Sequence, residues 1–207
     1  MASAERPVVE VRDLRPDEFA VVVPLLARGF RDNPIPTSLF GRDPERRRQC
    51  LEMMFGGLFR VILAGQPPLV ALDGETIVGV AGIAAPGTCQ PTNAQRLRLV
   101  PSMLPTGFGS ILRTVRVSAA WGKLDLTEPH SHLGPLAVDA HLRGRGIGTQ
   151  ILHAYCRRLD ETNLTGYLET ETEDNVRLYT RFGFKVIAEQ RVVDVPNWFM
   201  RRPSEGS

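Results

Sequence analysis

Lysine is nearly missing from this chain: only Lys123 and Lys185 stand among its 25 basic residues, and basic side chains outnumber acidic ones by two. A net charge of +2 makes no field that would gather a polyanion, so nucleic acid is not an expected partner. Cysteine is scarce as well. Cys50, Cys89 and Cys156 are odd in number, far apart and at no metal-ligand spacing from a histidine, which excludes a disulfide framework and a sequence-local zinc motif. They read as reduced, buried thiols in a reducing compartment, and no metal is expected. No run approaches the roughly 18 apolar residues of a membrane span, and Glu5, Arg6 and Glu10 stand where a secretory leader would need an apolar stretch. The expectation is a cytoplasmic protein with no membrane partner.

What is present suits one packed core. A length of 207 residues with 43% hydrophobic content reads as a single domain, 1–207, with its core over about 8–202 and fraying ends at Met1 to Pro7 and Pro203 to Ser207. Val8 to Arg12 is a β-branched strand, and Pro16-Asp17-Glu18 opens a helix carrying Phe19, Val22, Val23 and Leu26 as far as Gly29. Asp43-Pro44-Glu45 opens a second helix through Met53, Met54, Phe55, Leu58 and Val61. Its Arg46-Arg47-Arg48 run reads as a solvated face. Leu69 to Leu72, the turn Asp73-Gly74 and Thr76 to Ile83 make a hairpin. The stretch 86–130 is broken by Pro91, Pro101 and Pro105, with a helix expected only over Ile111 to Trp121. Then come a buried strand, His132 to Val138, and a glycine-rich turn. A helix follows with Ile147, Ile151, Tyr155 and Leu159 on one face, then a strand, Gly166 to Thr170, and a short helix, Asn175 to Arg181. Phe184 to Val193 and Trp198 to Arg201 close the chain as strands. That order is a mixed α/β (α+β) layer fold without repeats.

The turn Leu142-Arg143-Gly144-Arg145-Gly146-Ile147-Gly148-Thr149 leads from a strand into a helix. In such a turn consecutive backbone N–H groups converge at the positive end of the helix dipole, glycines allow close approach, and here two guanidinium groups are added. A polyphosphate fits that chemistry, and so does a plain packing turn. A P-loop is excluded because no Lys-Ser or Lys-Thr pair follows the glycines. The dinucleotide fingerprint is excluded because Thr149 stands where its last glycine belongs.

Arg143, Gly146 and Gly148, directly after Leu136-Ala137-Val138, follow the pattern Arg-x-x-Gly-x-Gly, which resembles the pyrophosphate motif of the GNAT acetyltransferases. The string from Asn175 to Phe184 resembles that superfamily's second signature, one helix and one strand downstream. Within the superfamily, Pro135 to Val138 and Leu168-Glu169-Thr170 resemble the small-molecule branch that includes puromycin N-acetyltransferase. The resemblance implies a single GNAT domain whose sheet of about seven strands contains a splayed parallel pair. Acetyl-coenzyme A is implied as the acyl donor and a small-molecule primary amine as the acceptor. It leaves a homodimer open, and with it peptide, protein or polyamine acceptors and a non-catalytic acyl-coenzyme A binding module.

The resemblance also implies roles. Backbone groups of Leu136, Ala137 and Val138 would pair with the pantetheine arm, and an N–H near Val138 would polarise the thioester carbonyl. Arg143, Gly144, Arg145, Gly146, Ile147, Gly148 and Thr149 would hold the pyrophosphate. Asn175 would contact the cofactor and could cap its helix as well. An attacking amine must first lose a proton, and His132, six residues before Val138, occupies the position of a basic group in this family. An unperturbed pKa of about 6.5 would leave it mostly neutral at pH 7. Glu169, on the strand face of Tyr167, is the alternative base or an ammonium binder, with His130, Asp125 and Glu128 as minor candidates on an unassigned loop. Tyr179 matches the tyrosine that gives a proton to the leaving thiolate, and could equally be a core aromatic. Phe30, Phe40, Met53, Phe55 and Trp121 are possible walls of the acceptor pocket, and more readily core.

Overall fold

The computed structural model describes residues 7–61 and 66–205; Met1 to Arg6, Gly206, Ser207 and the side chain of Val61, on which some expectations fell, lie outside the described residues. The elements are β1 (Glu10–Asp13), α1 (Phe19–Phe30), α2 (Pro34–Phe40), α3 (Pro44–Val61), β2 (Leu69–Asp73), β3 (Thr76–Ala84), α4 (Asn93–Met103) and α5 (Phe108–Leu124). They continue with β4 (His130–Val138), α6 (Ile147–Thr162), β5 (Thr165–Thr170), α7 (Glu173–Thr180), β6 (Lys185–Val192) and β7 (Val195–Arg202). The strands form one sheet in the order β1-β2-β3-β4-β5-β7-β6, antiparallel throughout except between β4 and β5. No helix of the described residues is long and apolar enough to cross a membrane.

Period-two alternation divides the core between the two faces of the sheet. On β2, Val70 and Leu72 face α1 and α3 and Leu69 and Ala71 face α6, whereas on β3 the register shift opposite Ala71 and Leu72 breaks the alternation, so that Val80 joins the first group and Val78 joins Ala81 in the second. The stripe anticipated on α6 is real: Ile147, Ile151, Tyr155 and Leu159 are all buried against the sheet. Truncating Ile151 to alanine there removes close-packed methylenes, at a cost of about 2–5 kcal/mol.

Two helices escape the reading from sequence. In α2, Pro34 and Pro36 look like breakers, but both lie in the first turn behind Asn33, where a helix has no use for the missing N–H. In α4, Thr92 accepts from the Gln95 N–H and the Gln95 side chain answers to the Thr92 N–H, a reciprocal cap that outweighs Pro101 in the last turn. The solvated face expected at Arg46 to Arg48 also needs correction. Arg47 is buried, and its guanidinium donates to the carbonyls of Arg31 (2.6 Å), Gly41 (3.1 Å) and Arg42 (2.7 Å) and to Asp32 (2.8 Å). It stitches α3 to the chain between α1 and α3.

The feature that positions the site is the partnership of β4 with β5. They pair only at His130–Thr165, Ser131–Gly166 and His132–Tyr167, and then part. Beyond that point β4 stays with β3 and β5 with β7. Pro135, which has no N–H to give a neighbour, falls in the unpaired stretch of β4. On the far side α1 lies against β4 so closely that a Cβ on Gly29 would come within 2.7 Å of the Ala137 Cβ.

Candidate functional site

The opening between β4 and β5 exposes backbone rather than side chains. The Asp139 N–H donates to the Val78 carbonyl on β3 at 2.9 Å. Because N–H and C=O groups alternate sides along a strand, those of Val138 and Leu136 point the other way, into the cleft. Ala137 turns its polar groups to β3 and buries its side chain under α1, so Leu136 and Val138, not Ala137, face the opening.

The glycine turn stands at the mouth of this cleft. Gly144 has φ +78° and Gly146 φ +84°, and Gly146 caps α6 in the left-handed region that side chains avoid. The first amides of α6, at Ile147, Gly148 and Thr149, have no partner within the helix. Arg145 is exposed. Arg143 is exposed too, but one of its guanidinium nitrogens donates to the Gly29 carbonyl, so part of this group holds α1 to the turn. Such a nest of amides and guanidinium groups suits an anion with several phosphate oxygens.

At the closed end, where β4 and β5 still pair, titratable side chains gather. His132 Nε2 lies 2.7 Å from Glu169 Oε2, both side chains being largely buried. The contact is a charge pairing rather than an aligned hydrogen bond, since Oε2 has no hydrogen-bond partner. Burial pulls the His132 pKa down, yet the Glu169 carboxylate and the Cys89 thiol outweigh it and lift the ring well above the ordinary histidine range. The expectation of a mostly neutral His132 at pH 7 is thereby corrected. The Tyr167 ring packs edge-on between His130 and His132, with centroids at 5.3 and 5.1 Å, and its hydroxyl donates to the Leu124 carbonyl.

His130 belongs to this group and not to a loop: it begins β4, is buried, and has Nε2 3.1 Å from Cys89 Sγ and 3.0 Å from Asp125 Oδ1. Burial pushes the Cys89 thiol up, but His130 and His132 bring it down to about 7. The picture of three isolated buried thiols therefore fails at Cys89. No sequence spacing could show this, because Cys89 and His130 are 41 residues apart and meet only through the pairing of β3 with β4. Glu128, the other minor candidate, pairs with Arg201 at 2.7 Å.

The three tyrosines of the chain separate by their hydroxyls. Those of Tyr155 and Tyr167 donate to the Ser131 and Leu124 carbonyls, each at 2.8 Å, while Tyr179 has no hydrogen-bond partner among the described residues. Its ring packs on Phe184 at 6.1 Å. Burial, then Glu171 and Glu169, push its pKa up, making it a weaker acid than the unperturbed phenol anticipated from the sequence. Asn175 is not the helix cap. Thr172 is, accepting from the Asn175 N–H, while the Asn175 side chain donates to Thr170 at 3.1 Å.

Glu171 was not anticipated. Two residues past Glu169, it follows the face of Tyr167 and Glu169 beyond the end of β5, and that i, i+2 repeat was its legible signal. Burial raises its pKa, and Asn33 Nδ2 donates to it at 3.1 Å. Of the aromatic and methionine candidates, Phe40 and Phe55 are core, and Phe30, Met53 and Trp121 pack against that core.

The acetyltransferase (GNAT) family model matches residues 42–184. The uncharacterized N-acetyltransferase YhbS of Escherichia coli is 39% identical over 56 residues, 27% of this chain and 32% of that protein. This chain thus spans about a third of the length of the curated relative it matches. Among solved structures, a histone acetyltransferase HPA2 and related acetyltransferase from Corynebacterium glutamicum superposes with a TM-score of 0.73 at 22% identity, covering 96% of this chain and 98% of that one. A polyamine N-acetyltransferase of Drosophila melanogaster that forms N-acetylagmatine gives 0.58 at 19%, over 94% and 98%. A GNAT acetyltransferase of Brucella melitensis in complex with acetyl-CoA gives 0.54 at 15%, over 97% and 90%. At such identities the likeness speaks for the fold, the seven-stranded mixed sheet with flanking helices.

Proposed function

Because the chain belongs to the acetyltransferase (GNAT) family, whose acyl donor is acetyl-CoA, we propose that it transfers an acetyl group from acetyl-CoA to the primary amine of a small cationic molecule. Within the family we assign it to the small-molecule branch that includes puromycin N-acetyltransferase. The observation that carries the reading is the His132–Glu169 pair at the point where β4 and β5 part, with the backbone of Leu136 and Val138 open beside it.

In this reading the pyrophosphate sits on the amides of 147–149 and the exposed Arg145, and the pantetheine arm pairs with Leu136 and Val138 as a strand would. The amine arrives as an ammonium ion with a pKa near ~10. Glu169 and Glu171 draw it in, and the His132 ring beside Glu169 takes its proton after giving up its own to solvent, since the raised pKa leaves that ring charged in most molecules at pH 7. The amine nitrogen then attacks the thioester carbon, the carbonyl oxygen gaining charge opposite the Val138 N–H. As the carbon–sulfur bond breaks, the coenzyme A thiolate leaves and Tyr179, whose hydroxyl is uncommitted, supplies the hydrogen bond and proton. The two neighbouring carboxylates favour a cationic acceptor, polyamines included, over a neutral arylamine.

The test is an acceptor panel with acetyl-CoA, read by thiol release. Turnover of small diamines or aminated antibiotics, with peptide N-termini inert, is expected. Turnover confined to peptides or proteins would reassign the acceptor, and tight acetyl-CoA binding without any turnover would leave a binding module.

A further inference from the structure

The closed end of the cleft holds more donors than the transfer reaction uses. Cys89, Asp125, His130 and His132 each bring one ligand-type atom within 4.8 Å of the others. A carbonyl oxygen can only accept, so the 2.9 Å contact between His130 Nδ1 and the Glu128 carbonyl puts the proton on Nδ1 and turns the Nε2 lone pair inward. Facing that lone pair are Cys89 Sγ at 3.1 Å and Asp125 Oδ1 at 3.0 Å. The carboxylate is oriented in the same sense: Oδ2 accepts from Gln90 Nε2 at 3.1 Å, while the buried Oδ1 has no hydrogen-bond partner. A second proton on Nε2 satisfies only one of these two acceptors at a time. A divalent cation satisfies all four donors together.

We propose that Cys89, Asp125, His130 and His132 form a four-ligand site for a borderline-soft divalent cation of the zinc class. One thiolate and one carboxylate balance the charge of such an ion, two neutral imidazoles complete a tetrahedral set, and the thiolate selects against magnesium and calcium. The Glu128 carbonyl behind His130 and the Gln90 amide behind Asp125 are the outer groups that orient metal ligands. A cavity of about 360 Å³, lined by Gly87, Cys89, Asp125 and His130 among others, gives an ion a way in. The site joins the segment after β3, the end of α5 and the start of β4. Its fourth ligand is the ring that, in the function proposed above, takes the amine's proton. Resting on that reading, a loaded site withholds the base and silences transfer.

Metal binding is measured on the chelator-treated full chain with cobalt(II), in the absence of acyl donor and amine, so that its outcome is independent of turnover. One cobalt per chain with a thiolate-to-cobalt charge-transfer absorption, displaced by zinc(II), is expected. Cys89→Ser should lose that absorption, and Asp125→Asn should keep it while weakening affinity by more than about tenfold. Circular dichroism melts confirm that each variant is folded. A folded wild-type chain without the absorption, or the same absorption in Cys89→Ser, overturns the site. Full acetyl transfer at one bound zinc per chain removes His132 from the ligand set and overturns the four-ligand geometry. A chain that binds cobalt in this way but acetylates no amine keeps the metal site and loses the proposed function.

Discussion

The two ends of β4 use different materials for different tasks. At the open end, Leu136 and Val138 offer peptide groups to the cleft beside a helix N-terminus, and the side chains there only pack. At the closed end, three residues of pairing with β5 bring His130, His132 and Tyr167 together and place Glu169 against His132. Peptide dipoles stay fixed and uncharged over the whole working pH range, which suits recognition of an invariant cofactor. Titratable side chains are costly to bury and sensitive to neighbours, which suits proton transfer and discrimination among acceptors. In the proposed function, splaying one strand pair would separate holding the donor from activating the acceptor, about four residues apart along β4.

The sharpest way to break that division is at the closed end. In chelator-treated protein, His132→Ala and Glu169→Gln should each lower kcat/KM by about 10³-fold with acetyl-CoA affinity retained, within the usual range for a positioned base. If the two act as one unit, the double variant should be little worse than either single one, and steady-state kinetics of all four proteins measures this. Fully additive losses would mean that the side chains serve separate steps.

The open end should fail in the complementary way. A Cβ on Gly148 would meet Val138 and Leu136 at ordinary distances, 3.7 and 3.8 Å, so Gly148→Asp should fold. A first-turn carboxylate even favours the helix dipole, but in the proposed function it would stand beside the pyrophosphate. Acetyl-CoA affinity should drop on the order of 10²-fold by calorimetry, as one like charge at a few ångströms in a partly buried site implies. Unchanged affinity would move the cofactor off this turn. Tyr179→Phe should be milder, lowering kcat by about tenfold with cofactor affinity retained, the scale of one hydrogen bond to a charged atom. Full activity in that variant would leave Tyr179 as a packing residue.

The open end was readable in the sequence because its signals are local. Arg143, Gly146 and Gly148 are contiguous with the strand they follow, and the i, i+4 stripe of α6 announces the helix they cap. At the closed end, His132 and Glu169 were each singled out, yet their pairing and its effect on the His132 proton depend on register between strands about 35 residues apart, which no single segment encodes. Cys89 was misread for the same reason. Helices α2 and α4 were hidden by prolines whose cost depends on their position in the turn and not on their presence.

Glu171 gives the smallest effect and the one that most directly contrasts acceptor binding with stability. Burial holds its pKa above the ordinary glutamate value, so between those two values the folded chain binds a proton that the unfolded chain has released. Stability then falls as pH rises through that window, and above it the full cost of burying a carboxylate remains. Glu171→Gln removes the charge and keeps an amide oxygen to accept from Asn33. Thermal melts should therefore show a higher Tm for the variant at neutral pH and a difference that closes as pH falls below the ordinary glutamate pKa, where both side chains become neutral in either state. The same variant should raise KM for the cationic amine with kcat little changed, as expected of a group that binds the substrate ammonium without moving protons. A lower Tm at neutral pH would instead make the carboxylate an anchor for α2 through Asn33, and an unchanged KM would remove Glu171 from the acceptor site.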